Sequence, residues 1–164
     1  MSMDVEHAKG LLECVHDASG PNRRLDGWLW KFVTEKPGQV WSDQFADGVW
    51  CLQDAEDTIA YETPPHITSS LDAAVWLISQ ALPGWWVSGG LCALTGHASM
   101  GPDYNGPRRM ALMEEWPPDV HDHGNYNADL KPGDGWHRVC YAMLDCMLQA
   151  LIAKSAGIPV KEAE

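Results

Sequence analysis

The chain has 164 residues, 45% of them hydrophobic, and a formal net charge of −12 from 23 acidic and 11 basic side chains. That length suits one domain with a real core, and no apolar run approaches the roughly 18 residues that a membrane helix needs. The shortage of cations excludes a direct nucleic-acid binder, whose affinity rests on Lys and Arg against phosphate.

The start, Met1-Ser2-Met3-Asp4-Val5-Glu6, is acidic and lacks a signal peptide's charged and apolar regions. A soluble cytoplasmic protein is therefore expected. The first helix is predicted from about Asp4 to Ala18, with Val5, Ala8, Leu12 and Val15 as its stripe and Gly20-Pro21 as its stop. Asn22 then caps a second helix carrying Leu25, Trp28, Leu29 and Phe32, which ends at Pro37-Gly38. Two short strands are predicted near Gly48–Gln53 and Thr58–Tyr61, joined by the turn Asp54-Ala55-Glu56-Asp57.

The third helix has Ser69 as N-cap and Asp72 as its capping-box partner, with Leu71, Ala74, Val75, Ile78 and Leu82 on one face. Pro83-Gly84 ends it. Trp85 to Met100 reads as β, with a turn or bulge at Ser88-Gly89-Gly90 and a return along Leu91–Leu94. Residues 101–107 are a loop by composition, and Arg108–Trp116 is a further strand candidate. Pro117–Gly135 is polar and long for a connection, which points to a functional or disordered segment. A last helix starts near Asp134 and carries Trp136, Val139, Cys140, Met143, Met147 and Leu151. Gly157 and Pro159 end it.

The order α-α-β-β-α-β-β-β-α predicts an α+β fold. Its expected form is an antiparallel or mixed sheet of about 4–5 strands with four helices packed on it. One core spans 1–160, with a polar loop or insertion at about 101–135.

Two of these stretches, Gly20–Trp30 and Thr68–Trp86, resemble a family of small phage and prophage proteins of unknown function, similar to the phage alpha/beta/alpha sandwich domains. In that family G-P-D-R-E-L-D-A follows a first helix, and a T-x-S-L-D-A-A helix ends in P-x-G-W. Gly20, Pro21, Arg23, Leu25 and Asp26 match the first pattern. Ser70, Leu71, Asp72, Ala73, Ala74, Pro83, Gly84 and Trp85 match the second, and Ala142–Ala153 matches the family's closing alanine-leucine helix. The resemblance covers roughly the first 90 and the last 20 residues. Asn22 and Arg24 stand where acids are usual, and the segment from about Gly96 to Gly135 has no counterpart. The family has no assigned catalytic residues, so the resemblance implies a phage-type gene, a scaffold and a host bacterial cytoplasm.

Charge is unevenly placed. Between Pro37 and Pro107 there is no Lys or Arg, while Asp43, Asp47, Asp54, Glu56, Asp57, Glu62, Asp72 and Asp103 fall there. Such a surface is either a solvated face or a dock for a basic partner. The chain also has nine tryptophans, a residue used both to fill cores and to anchor interfaces. Trp85 and Trp86 are adjacent, so in a strand they face opposite sides. Five scattered cysteines without a C-x-x-C pair argue for core packing rather than disulfides or a zinc ribbon.

Three constellations could carry chemistry. Asp119, His121 and His123 have the alternation of paired metal ligands, and a divalent ion held there could activate water. Arg23 and Arg24, joined by Arg108 and Arg109, could bind an anion at a helix start, or simply pair with Asp17 or Asp26. The carboxylate pairs Glu114-Glu115 and Asp54-Glu56-Asp57 are sequence neighbours and do not span a glycosidase cleft.

The reading is a phage-type accessory protein, acting in counter-defence by non-enzymatic binding. Asp54, Glu56, Asp57, Trp85 and Trp86 would meet a basic host protein surface, or the arginines would sequester a small anionic signalling ligand. No cofactor is expected in that case. The alternative is a metal-dependent hydrolase built on His121 and His123. Surplus Trp also fits a homo-oligomer, and no membrane partner is expected.

Overall fold

Local sequence chemistry sets the ends of the first helices. The computed structural model of the chain describes residues 4–36, 39–42, 50–53, 59–92, 95–116, 126–130 and 135–156. Asp4 caps α1 (Val5–Asp17), its carboxylate accepting from the Glu6 and His7 N–H groups. Asn22 caps α2 (Arg23–Thr34), its side-chain oxygen accepting from the Arg24 and Leu25 N–H groups at 3.1 and 3.0 Å. Such caps satisfy N–H groups that no helical carbonyl can reach.

A first sheet follows as an antiparallel meander of β1 (Val40–Ser42), β2 (Trp50–Gln53) and β3 (Ile59–Glu62). Its anchor is Trp50, which is buried against Gly27 of α2. A Cβ on Gly27 would overlap the Trp50 indole, so only glycine admits the ring there.

Helix α3 (Leu71–Ala81) is capped by Ser70, which accepts from Ala73 N–H, and not by the expected Ser69. A turn explains the shift: the N–H groups of Ser69 and Ser70 both donate to the His66 carbonyl, so the helix begins one residue later. Asp72 then falls outside the capping-box position. The buried face is Ala74, Leu77, Ile78 and Leu82, which leaves Val75 exposed.

The second sheet is β4 (Trp85–Leu91), β5 (Gly96–Pro102) and β6 (Tyr126–Leu130), antiparallel with β5 in the centre. The turn expected at Ser88-Gly89-Gly90 is instead the middle of β4. Gly89 lies in the strand because a Cβ there would stand 2.8 Å from side-chain carbons of Val139 and Met143. The chain reverses later, where Cys92 N–H donates to the Thr95 carbonyl.

Arg109–Glu115 forms helix α4 rather than the expected strand. Its residues are good helix formers with no β-branched side chain among them. The segment read as a polar loop or insertion at 101–135 thus supplies both α4 and β6, and Leu112, Trp116, Tyr126 and Ala128 join the core.

The last helix, α5 (His137–Ala156), is the centre of the molecule. It packs on every strand of the second sheet on one side and on α1 and α3 on the other. Tyr141, Leu144, Met147 and Leu148 are completely buried. Burying one such side chain contributes roughly 1.5–3 kcal/mol. The architecture is α+β, with five helices and two three-stranded sheets among the described residues in place of one sheet with four helices. No helix among them is long and apolar enough to cross a membrane.

Candidate functional site

The first candidate region is the start of α2. Arg23 donates through Nη1 to Asp26 Oδ2 at 2.7 Å and to the Pro65 carbonyl at 3.2 Å, and through Nη2 to the Pro64 carbonyl at 2.8 Å. The Asp26 carboxylate is buried and takes the Thr68 N–H on its other oxygen at 2.6 Å. Thr68 returns the link, its hydroxyl accepting from Asn22 N–H at 2.9 Å. The two resembling stretches therefore meet at Asp26 and Thr68 and hold each other. Ion pairing of Arg23 with Asp26 was one of the two readings of this arginine, and the geometry realises it.

Arg24 is exposed, with its guanidinium 4.8 Å from the centre of the Trp28 ring. Arg108 and Arg109 are exposed at the start of α4, where the Arg108 stem lies beside Gly84. The two arginine pairs belong to different helices, Arg23 and Arg24 to the first turn of α2, Arg108 and Arg109 to the start of α4. A further tie runs from α5 to the loop after α1, where Tyr141 Oη donates to the Gly20 carbonyl at 2.7 Å and Arg138 to Ala18 at 3.3 Å.

An aromatic cluster forms the second region. Trp85 packs edge-on to Trp116 at 4.7 Å and stacks on Tyr126 at 5.8 Å. Tyr104 Oη donates to the Trp116 carbonyl at 2.6 Å. Trp85 Nε1 and Tyr126 Oη are buried and find no hydrogen-bond partner among the described residues. Burial, with Tyr104 adding to it, pushes the Tyr126 hydroxyl up to about 12. Burial likewise raises the thiols of Cys140 and Cys146, to about 11 and about 12. Neither is a thiolate at neutral pH, so neither is a nucleophile.

The outward face of the second sheet is the third region. Trp86, Ser88, His97, Ser99, Asn127 and Asp129 alternate with the core residues of their strands. In register, Ser88, Ser99 and Asn127 form one row, and Gly90, His97 and Asp129 the next. The His97 ring lies over Gly90, with Nε2 2.9 Å from where a Cβ would be. Trp86 stands at the end of this polar floor, beside Gly101. Trp85 and Trp86 thus part ways, one into the aromatic cluster and one outward.

Sequence reading missed two features. His16 Nε2 lies 2.7 Å from the buried carboxylate of Asp145, which also accepts from Gln149. The pair bridges α1 and α5 across 129 positions, which no local pattern reveals. The polar sheet face was legible in principle, since His97, Ser99 and Gly101 alternate with Ala98 and Met100.

Asp54, Glu56 and Asp57, and the metal candidates Asp119, His121 and His123, lie outside the described residues. Among those described, no group of three or more His, Cys, Asp or Glu side chains is placed to hold a metal ion. Glu114 and Glu115 are exposed on α4, and Glu115 approaches Lys154 at 3.4 Å. Comparison with protein families, curated proteins and solved structures finds no match.

Proposed function

We propose that this chain is a phage-type accessory protein that acts in the host bacterial cytoplasm by binding a host protein with a basic surface, in counter-defence. One observation carries the reading. Among the described residues nine large hydrophobic side chains are exposed, and six of them (Val40, Tyr61, Val75, Trp76, Trp86 and Leu91) fall between Pro37 and Pro107, where the chain has no Lys or Arg. Apolar anchors on a stretch of chain whose only charges are acidic suit a partner that offers apolar pockets ringed by cations. The phage resemblance of the two helix starts supports the biological setting.

A small anionic ligand gains less support, because Arg23 is already held by Asp26, Pro64 and Pro65. The metal-dependent hydrolase rests wholly on residues 119–123, and no described side chain adds to it.

The test is affinity capture from the bacterial host, repeated with Asp54, Glu56 and Asp57 all changed to Lys. The expected result is a host protein held by the parent chain, more weakly as salt rises, and lost by the charge-reversed variant with its circular dichroism unchanged. Retention at the same affinity overturns the reading.

A further inference from the structure

Strand β4 is an open edge of the second sheet. The phase of its ladder follows from Asp103 N–H donating to the Gly84 carbonyl at 3.1 Å, together with the pairing of Trp85 with Pro102. Trp86, Ser88 and Gly90 therefore direct their main-chain groups at β5, and Val87, Gly89 and Leu91 direct theirs away from the sheet. Trp85 N–H is turned back to the Leu82 carbonyl. Among the described residues no strand lies beyond this edge.

Proteins ordinarily blunt such an edge with Lys, Pro, a bulge or a short strand. The seven residues Trp-Trp-Val-Ser-Gly-Gly-Leu carry none of these devices. The opposite edge, β6, carries the exposed Asp129. Gly89 is exposed although its core side faces Val139 and Met143, so its exposure opens sideways, along the edge.

We infer that β4 is a self-pairing edge, joining two copies of this chain antiparallel about Ser88 into one continuous six-stranded sheet. The strand is complementary to its own reverse. With Ser88 on the two-fold axis, Trp86 stands opposite Gly90 of the second copy and Val87 opposite its Gly89. Each bulky residue of one strand thus stands opposite a glycine of the other, Trp86 beside the His97 ring that lies over Gly90 and Val87 beside the Val139 and Met143 side chains at Gly89, and Val87 and Gly89 exchange main-chain bonds in both directions. An isologous contact of this kind closes at two copies. Each copy is strongly acidic, but the paired strands carry no charge, so repulsion acts only at long range and salt screens it. Self-association therefore strengthens with salt, whereas a basic host partner is released by it. The two readings fail separately.

Sedimentation velocity from about 1 to about 200 μM, at low and high NaCl, tests the inference. A monomer–dimer equilibrium that tightens with salt is expected. Ser88→Lys sets two ammonium groups face to face at the axis and should weaken the dimer roughly tenfold or more. Ser88→Cys in a Cys92→Ser background should form an intermolecular disulfide under mild oxidation, because facing Cα atoms in a non-hydrogen-bonded pair approach to about 4.5 Å. A monomer at every concentration overturns the inference. So does a dimer that Ser88→Lys leaves intact and that Ser88→Cys does not trap.

Discussion

The junction at the start of α2 and the outward face of the second sheet use the same residue types to opposite ends. At the junction Arg23, Asp26, Thr68 and Asn22 are closed on one another, and the Asp26 carboxylate has a partner on both oxygens. On the sheet, Ser88, Asn127, His97 and Asp129 stand exposed in rows with the half-buried Ser99. Polar groups that satisfy each other inside the fold have little left for a ligand, whereas exposed ones in register do. The stretch with the most recognisable sequence is therefore scaffold, and the plainer one is surface.

The sharpest way to break that contrast is to cut the junction. Asp26→Ala leaves Thr68 N–H and the Arg23 guanidinium without their buried acceptor, and should cost about 3–5 kcal/mol in chemical denaturation. Asp26→Asn keeps an acceptor for Thr68 and should recover part of that loss. An Asp26→Ala variant as stable as the parent would mean that the junction is not scaffold.

How much of this was legible follows the range of the interactions. Asn22 as a cap, the stop at Gly20-Pro21 and the strands expected near Gly48–Gln53 and Thr58–Tyr61, found at Trp50–Gln53 and Ile59–Glu62, rest on neighbours in sequence, and local chemistry shows them. Ser69 has the local signature of a cap, but the His66 carbonyl that holds it in a turn lies upstream of the helix pattern. Gly89 and Gly90 looked like a turn because glycine ordinarily marks one. What needs glycine at 89 is α5, some fifty positions away, pressing Val139 and Met143 onto the strand, and at 90 it is the His97 ring of β5. Short apolar runs such as Arg109–Glu115 carry too little periodicity to separate helix from strand. Of the candidate sites, the pairing of Arg23 with Asp26 was readable from their spacing. The link to Thr68 and the bridge from His16 to Asp145 were not.

High pH probes the core behind both regions, where α5 carries Cys140 near Asp26 and Cys146 against β5. Cys140, Cys146 and Tyr126 have folded values raised by burial to about 11, about 12 and about 12, above their ordinary 9.0, 9.0 and 10.0. A raised value means that the folded state resists losing the proton. The stabilising contribution is complete below the ordinary value and is lost as pH climbs through the folded one. Stability should therefore fall from about pH 9 to about pH 12, and Cys146→Ala should flatten that fall even as it lowers stability at pH 7. Denaturant titrations at stepped pH check both. At pH 7 a thiol reagent should modify the exposed Cys92 and leave Cys140 and Cys146 untouched in the folded chain.

The smallest expected effect is also the most discriminating. Among the described residues Tyr126 Oη has no partner, unlike Tyr104 and Tyr141, whose hydroxyls reach carbonyls at 2.6 and 2.7 Å. Leaving a hydroxyl unpaired in an apolar setting costs about 1–3 kcal/mol, so Tyr126→Phe should hold or raise stability, by up to about 1 kcal/mol. Tyr141→Phe removes a made bond and strands the Gly20 carbonyl, so it should lower stability by about 1 kcal/mol. The two substitutions delete the same atom from the same core and should move the unfolding midpoint in opposite directions. If both destabilise, a partner for the Tyr126 hydroxyl exists in solution, and the aromatic cluster around Trp85 and Tyr126 joins the polar groups that are closed rather than open.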